Sequence, residues 1–204
     1  MRETKRHRRR GVGLIELLVA LMICAALLTA VAMAVDASFK AYGVNESQSQ
    51  LMERARLSMN RMLTYIRCTN QHLPDNDTAQ TNFQNGLITQ ADSIRMMIDS
   101  VNGIIFRQSG TALLAVPFKI TGATLTEGTP RTMLQGVNAG DFTITFEPQR
   151  SAQSIKTGGK YDQLKRASIA LTVRAAAKTA VAGEEISNES ITLSGSVMPR
   201  PNMW

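Results

Sequence analysis

The chain has 204 residues, enough for one compact domain and an appendage, and its 44% hydrophobic content is ordinary for a folded protein, with aromatics sparse at 5%. Its net charge of +7 is concentrated at one end: residues 1–11 carry +5, through Arg2, Lys5, Arg6, Arg8, Arg9 and Arg10 against Glu3. A nucleic-acid-binding surface needs basic residues clustered on the folded part; Arg54, Arg56, Arg61 and Arg67 come nearest to that, and no nucleic-acid partner is expected.

The basic leader runs to Gly11, and residues 17–35 then form nineteen residues without a charge. About 20 apolar residues are needed to cross the hydrocarbon core as a helix. Ala, Leu, Met and Val dominate the run and no proline interrupts it, so it reads as a membrane-spanning helix. Basic residues beside a span resist translocation, which places the N-terminal end in the cytoplasm and the rest of the chain outside. Glu16 does not fit this simple picture. A carboxylate at mid-span costs about 2.5–3.5 kcal/mol. Glu16 lies only ~6 Å along the helix from Val12, which lowers the cost without removing it. An ordinary signal peptide cut after Ala32-Met33-Ala34, a twin-arginine signal and a plain anchor all leave Glu16 without a role. Cys24 reads as a small apolar residue and Cys68 as a free thiol. On one continuous helix they stand ~66 Å apart, too far to bridge.

Residues 36–68 change to an amphipathic pattern. Met52, Ala55, Met59, Met62 and Ile66 recur at three- and four-residue steps with Leu63 beside them, while Glu53, Arg54, Arg56, Asn60, Arg61 and Arg67 take the other side. The stripe reads as core packing beneath a sheet, and Gly43 as a weak point in the helix. Residues 72–86 are polar and read as a loop, in which Asp75-Asn76-Asp77 lacks the ligand spacing of a dedicated calcium site. Strands follow: "SIRMMID" and "GIIFRQ" around an Asn102-Gly103 hairpin turn, "TALLAVPFKI" after Ser109-Gly110, then "RTMLQGV", "DFTITFEPQ", "ASIALTVRA" and "SITLSGSVMPR". Residues 150–165 and 175–190 read as exposed polar loops. The expected fold class is α+β, with a long N-terminal helix covering one face of an antiparallel sheet. The expected divisions are a leader at 1–11, a spanning helix at 12–35, its amphipathic continuation at 36–68 and a β-rich head at 69–204.

The segment "RRRGVGLIELLVALMICAALLTAV" resembles the class III leader and first helix of type IV pilins and pseudopilins. Gly11 matches the residue before the cut, Val12 the new N-terminus, and Glu16 the carboxylate at the fifth position of the mature chain. Val12 stands where an aromatic residue or Met is usual, and Gly13 where Thr or Ser is usual. The resemblance implies cleavage between Gly11 and Val12 by a membrane prepilin peptidase, N-methylation of Val12, and pairing of Glu16 with the methylated N-terminus of a neighbouring subunit. It also implies a single-pass bacterial inner-membrane protein with its head outside the cytoplasm, whose partners are the peptidase, the membrane and other pilin subunits. The "RARLSMNRMLTYIR" helix end, the "LQGV" turn and the closing Val197-Met198-Pro199-Arg200 are similar to the larger minor pseudopilins of type II secretion and their minor pilin counterparts.

No enzyme and no cofactor is expected. His7 is in the leader, His72 stands alone, no phosphate-binding G-x-x-x-x-G-K loop occurs, and "TGGK" at 157–160 reads as a flexible turn. The competing expectation is an exported binding protein or hydrolase with an ordinary signal or anchor.

Overall fold

A computed structural model describes residues 13–69, 71–175 and 190–200. The leader, Gly11, Val12 and nearly all of the expected 175–190 loop lie outside the described residues. The chain divides into two units, 1–46 and 47–204, and helix α1 (Leu14–Cys68) contains the boundary.

In the first unit α1 begins where the Gly13 carbonyl accepts the N–H groups of Glu16 (3.0 Å) and Leu17 (3.1 Å). Glu16 therefore sits in the first turn, where the positive end of the helix dipole favours a carboxylate. The few polar side chains along the run are satisfied by the helix itself: the Thr29 hydroxyl donates to the Ala25 carbonyl and that of Ser38 to Ala34. Past the apolar run, Asp36 and Lys40 pair at 3.0 Å across one turn. The helix passes through Gly43 without interruption.

In the second unit Ala55, Met59, Met62 and Ile66 of the expected stripe are buried, Met52 is half-buried, Ser58 joins the buried set, and the arginines of the opposite side are exposed. Two antiparallel sheets form around it, where the sequence reading expected one. The first comprises β1 (Gln71–Pro74), β3 (Ser93–Met97), β4 (Asn102–Ser109), β5 (Ala112–Thr121), β6 (Thr124–Glu127) and β7 (Arg131–Gln135), in the order β1-β3-β4-β5-β6 with β7 also on β5. The second comprises β2 (Thr89–Ala91), β8 (Phe142–Gln149), β9 (Gln163–Arg174) and β10 (Ser190–Val197), in the order β10-β9-β8-β2.

The division of β5 between β6 and β7 turns on Pro117. Ala112–Ala115 pair with β7, and Phe118–Thr121 pair with β6. The Pro117 carbonyl accepts the Gly128 N–H at 2.7 Å on that edge. In a strand a residue's N–H and C=O point to the same side, so the donor that proline lacks faces the gap between the two partners. β8 and β9 show the expected alternation: Phe142, Ile144 and Phe146 face inward opposite Leu171, Ile169 and Ala167. Pro148 again sits at an irregularity, where the register between these two strands shifts.

The main core joins the helix stripe to Ile94, Met96, Phe106 and Leu113 of one sheet and to Phe142, Ile144, Leu171 and Val173 of the other. Tyr65 of α1 meets Phe106 edge-on at 5.6 Å between centroids. A smaller cluster of Ile105, Val116 and Phe118 lies on the opposite face of the first sheet, which is why "GIIF" is continuously apolar rather than alternating.

Several expectations need correction. The turn between β3 and β4 is not Asn102-Gly103 but the segment just before it, where the Asp99 carboxylate accepts from the N–H groups of Val101 (2.8 Å) and Asn102 (2.7 Å) and from the Asn102 amide. Gly103 lies within β4, because a Cβ there would run into the Phe118 ring and the Met96 carbonyl. The expected loop at 72–86 holds β1 and helix α2 (Asp77–Gln84). Asn76 caps that helix by accepting from the N–H groups of Thr78 and Ala79, and Phe83 anchors it edge-on to Phe146. Within 150–165 a short helix α3 (Ala152–Thr157) is capped by Ser151. The short strands β2 and β6 carry too few residues for a periodic signal.

The sheets are stitched together after β7. The Gly136 N–H donates to the Thr111 carbonyl, the Arg174 N–H donates to the Gly136 carbonyl, and the Arg174 guanidinium holds the Asp141 carboxylate at 2.9 and 3.0 Å. Gly136 has φ 82°, and a Cβ on it would strike the Arg174 carbonyl. Gly110 also has positive φ but open space around it. Gly136→Ala is therefore expected to cost about 2 kcal/mol or more, roughly 5 °C in Tm, and Gly110→Ala distinctly less. Thermal melts of the two variants in detergent compare them directly, and equal losses would contradict the close approach at Gly136.

Candidate functional site

The first candidate is the start of α1. Glu16 is the sole charged side chain among residues 12–35. Around it Leu14 and Ile15 are 79% and 76% exposed, and every residue from 13 to 42 is exposed. A helix of this length and apolar character is capable of crossing a membrane. Its surface is far larger than the apolar patches a soluble monomer ordinarily tolerates. The segment needs an apolar surrounding on all sides, and the Glu16 carboxylate needs a cation within it. Among the described residues of the first unit the one basic side chain, Lys40, is paired with Asp36, six turns further along α1.

Many of the charged groups of the second unit are engaged in structural contacts. Arg107 forms a two-pronged pair with Glu127 at 2.8 Å for each prong, beside the smaller apolar cluster. Glu147 is held below the usual carboxylate range by a hydrogen bond from Lys165 and by Arg166, and Asp141 by Arg174. Asp75, considered for calcium, instead faces Arg95 at 3.8 Å, and burial pushes its carboxyl up. Among the described residues no group of three or more His, Cys, Asp or Glu side chains converges as a metal site. Cys24 and Cys68 are exposed free thiols.

His72 is not in a loop. It occupies β1, buried, with Nε2 2.7 Å from the Thr69 hydroxyl. The Thr69 hydroxyl also lies 2.7 Å from the Tyr65 carbonyl, so it links the ring to the helix end. The pair fastens β1 to the last turn of α1. Sequence spacing gave no sign of it, because the partner is a threonine just beyond the helix end.

Residues 6–32 match the family described as the prokaryotic N-terminal methylation motif. The match takes in Gly11, Val12 and Glu16 together with most of the apolar run. No curated protein and no solved structure matches the chain.

Burial lowers the His72 pKa from 6.5 to about 4. Above pH 6.5 the ring is neutral in both folded and unfolded chains. Between pH 6.5 and 4 the unfolded chain takes up a proton that the folded chain refuses, so stability falls with pH. The full loss is on the order of 3 kcal/mol. The Tm of the detergent-solubilised protein should drop as pH falls through this window. His72→Gln should start lower and show a flatter slope; the same slope in both would contradict the assignment.

Proposed function

We propose that this chain, with its N-terminal methylation motif and its α+β fold, is a filament subunit of the type IV pilin and pseudopilin family, processed between Gly11 and Val12 and methylated at Val12. Cleavage removes the +5 of the leader and leaves an ammonium at the head of an apolar helix. In the filament that ammonium on one subunit pairs with Glu16 of its neighbour. Apolar packing drives association without fixing its register, since an apolar surface slides; a single buried ion pair does fix it. The observation that carries this reading is one carboxylate at the first turn of a wholly exposed apolar helix.

The finer assignment is to the minor subunits, which start or cap the fibre of a type II secretion pseudopilus or a type IV pilus. It is supported by the "LQGV" turn, where Gly136 joins the two sheets, and by Val197 buried at the end of β10 before Met198-Pro199-Arg200. In this reading the subunit is anchored in the bacterial inner membrane, head outward, its partners are the prepilin peptidase and other subunits, and its role is structural.

Glu16→Ala tests the pairing. Removing one member of a desolvated ion pair leaves the other uncompensated, at about 3–5 kcal/mol in general. The variant should fractionate with membranes as the parent does and lose co-purification with the other filament subunits. Undiminished co-purification would overturn the role given to Glu16.

A further inference from the structure

The exposed side of α1 in the second unit carries a surface that the core does not use. Arg54, Leu57 and Arg61 are spaced three and four residues apart, so they follow one stripe along the helix. Leu57 is 71% exposed at its centre. Beside the stripe lies a groove of about 310 Å³, floored by Leu51, Leu57, Met133 and Leu134 and rimmed by Arg54. Its far wall is β7, which is hydrogen-bonded to β5 along one edge and faces α1 with the other. The Ser58 hydroxyl reaches the Met133 carbonyl across it at 3.4 Å.

Among the described residues Arg95, Arg107, Arg166 and Arg174 on the sheets each have a carboxylate partner, and Arg131 of β7 does not. Among the described residues Arg54 and Arg61 have none; Arg61 leans on the Tyr65 ring, with its guanidinium carbon 6.0 Å from the centroid. Two arginines whose backbone positions lie about 10.5 Å apart along the helix, with an apolar side chain between them, match carboxylates at the same spacing on another helix. Nucleic acid would be served by an unbroken basic surface or by aromatic side chains for stacking. Leu57 and the neighbouring Glu53 break this stripe, and the Tyr65 ring beside Arg61 is packed against Phe106.

We propose that the groove and the Arg54–Leu57–Arg61 stripe dock a helix of a second, acidic filament subunit. That helix sets an apolar side chain into the groove against Leu57 and presents carboxylates to Arg54 and Arg61. The proposal rests on the filament-subunit reading and adds to it a lateral contact distinct from the Glu16 pair. The contact selects which neighbour sits beside the head, since subunits with basic helices are repelled.

The test is photo-crosslinking in membranes of the native cell, with a photoreactive phenylalanine analogue in place of Leu57 or, separately, of Leu21 in the apolar run. Position 57 should give an adduct with another filament subunit, identified by mass spectrometry through an acidic peptide. Arg54→Glu with Arg61→Glu should weaken that adduct about tenfold, the loss of two exposed ion pairs. The Leu21 adduct should persist, and melting should be unchanged because both arginines are exposed. Subunit adducts at Leu21 but none at 57, or a position-57 adduct indifferent to charge reversal, overturns the docking contact and leaves the filament reading standing. A nucleic-acid adduct at 57 also overturns it. No subunit adduct at either position overturns both.

Discussion

An apolar helical run that shows its whole circumference must be surrounded by something other than water. Burying apolar surface is favourable by roughly 25 cal/mol per Å², so the exposed half of α1 is a large store of association free energy. A membrane satisfies it first. Lipid tails, however, are as apolar as leucine, so moving from lipid into a filament gains little from hydrophobicity alone. What distinguishes one apolar surrounding from the other is the carboxylate of Glu16 at the first turn, which is poorly served by lipid and well served by a neighbouring ammonium.

The second half of the same helix solves a different problem. Its buried stripe is narrow and rich in methionine, whose flexible side chains fill irregular space beneath the two sheets. Polar seams then hold the assembly at its ends. Thr69 and His72 join the helix end to β1, Gly136 and Arg174 join the two sheets, and the Arg200 N–H reaches the Arg67 carbonyl after β10. The helix is thereby held at its end by both sheets, and its arginines are left exposed on the opposite side.

Legibility in the sequence followed the length of each periodic signal. The stripe on α1, the alternation of β8 and β9 and the offset of Glu16 from Gly11 each rest on several residues in fixed spacing, and they could be read directly. β2 and β6 have three and four residues, too few to display a period. α2 was concealed because its polar face and its Asn76 cap look like turn composition; its amphipathicity rests on Ala79 and Phe83 alone. The turn before β4 was misassigned because Asn-Gly is also a good pair wherever a neighbouring ring needs space, and here the Phe118 ring occupies the place of a side chain at Gly103. Two sheets rather than one could not be inferred, since each strand alternates in the same way whichever sheet it joins. For the candidate site, the motif that marks it is local in sequence. The Arg54–Leu57–Arg61 groove depends on β7 arriving beside α1 and is visible only in the fold.

The central claim is that Glu16 awaits an ammonium created by processing, and the N-terminus of the mature protein tests it most directly. Mass spectrometry of the N-terminal peptide from membranes should show a chain beginning at Val12 and carrying one added methyl group. A mature chain beginning at Val35 or Asp36, or one retaining Gly11 and the arginines before it, would contradict the account.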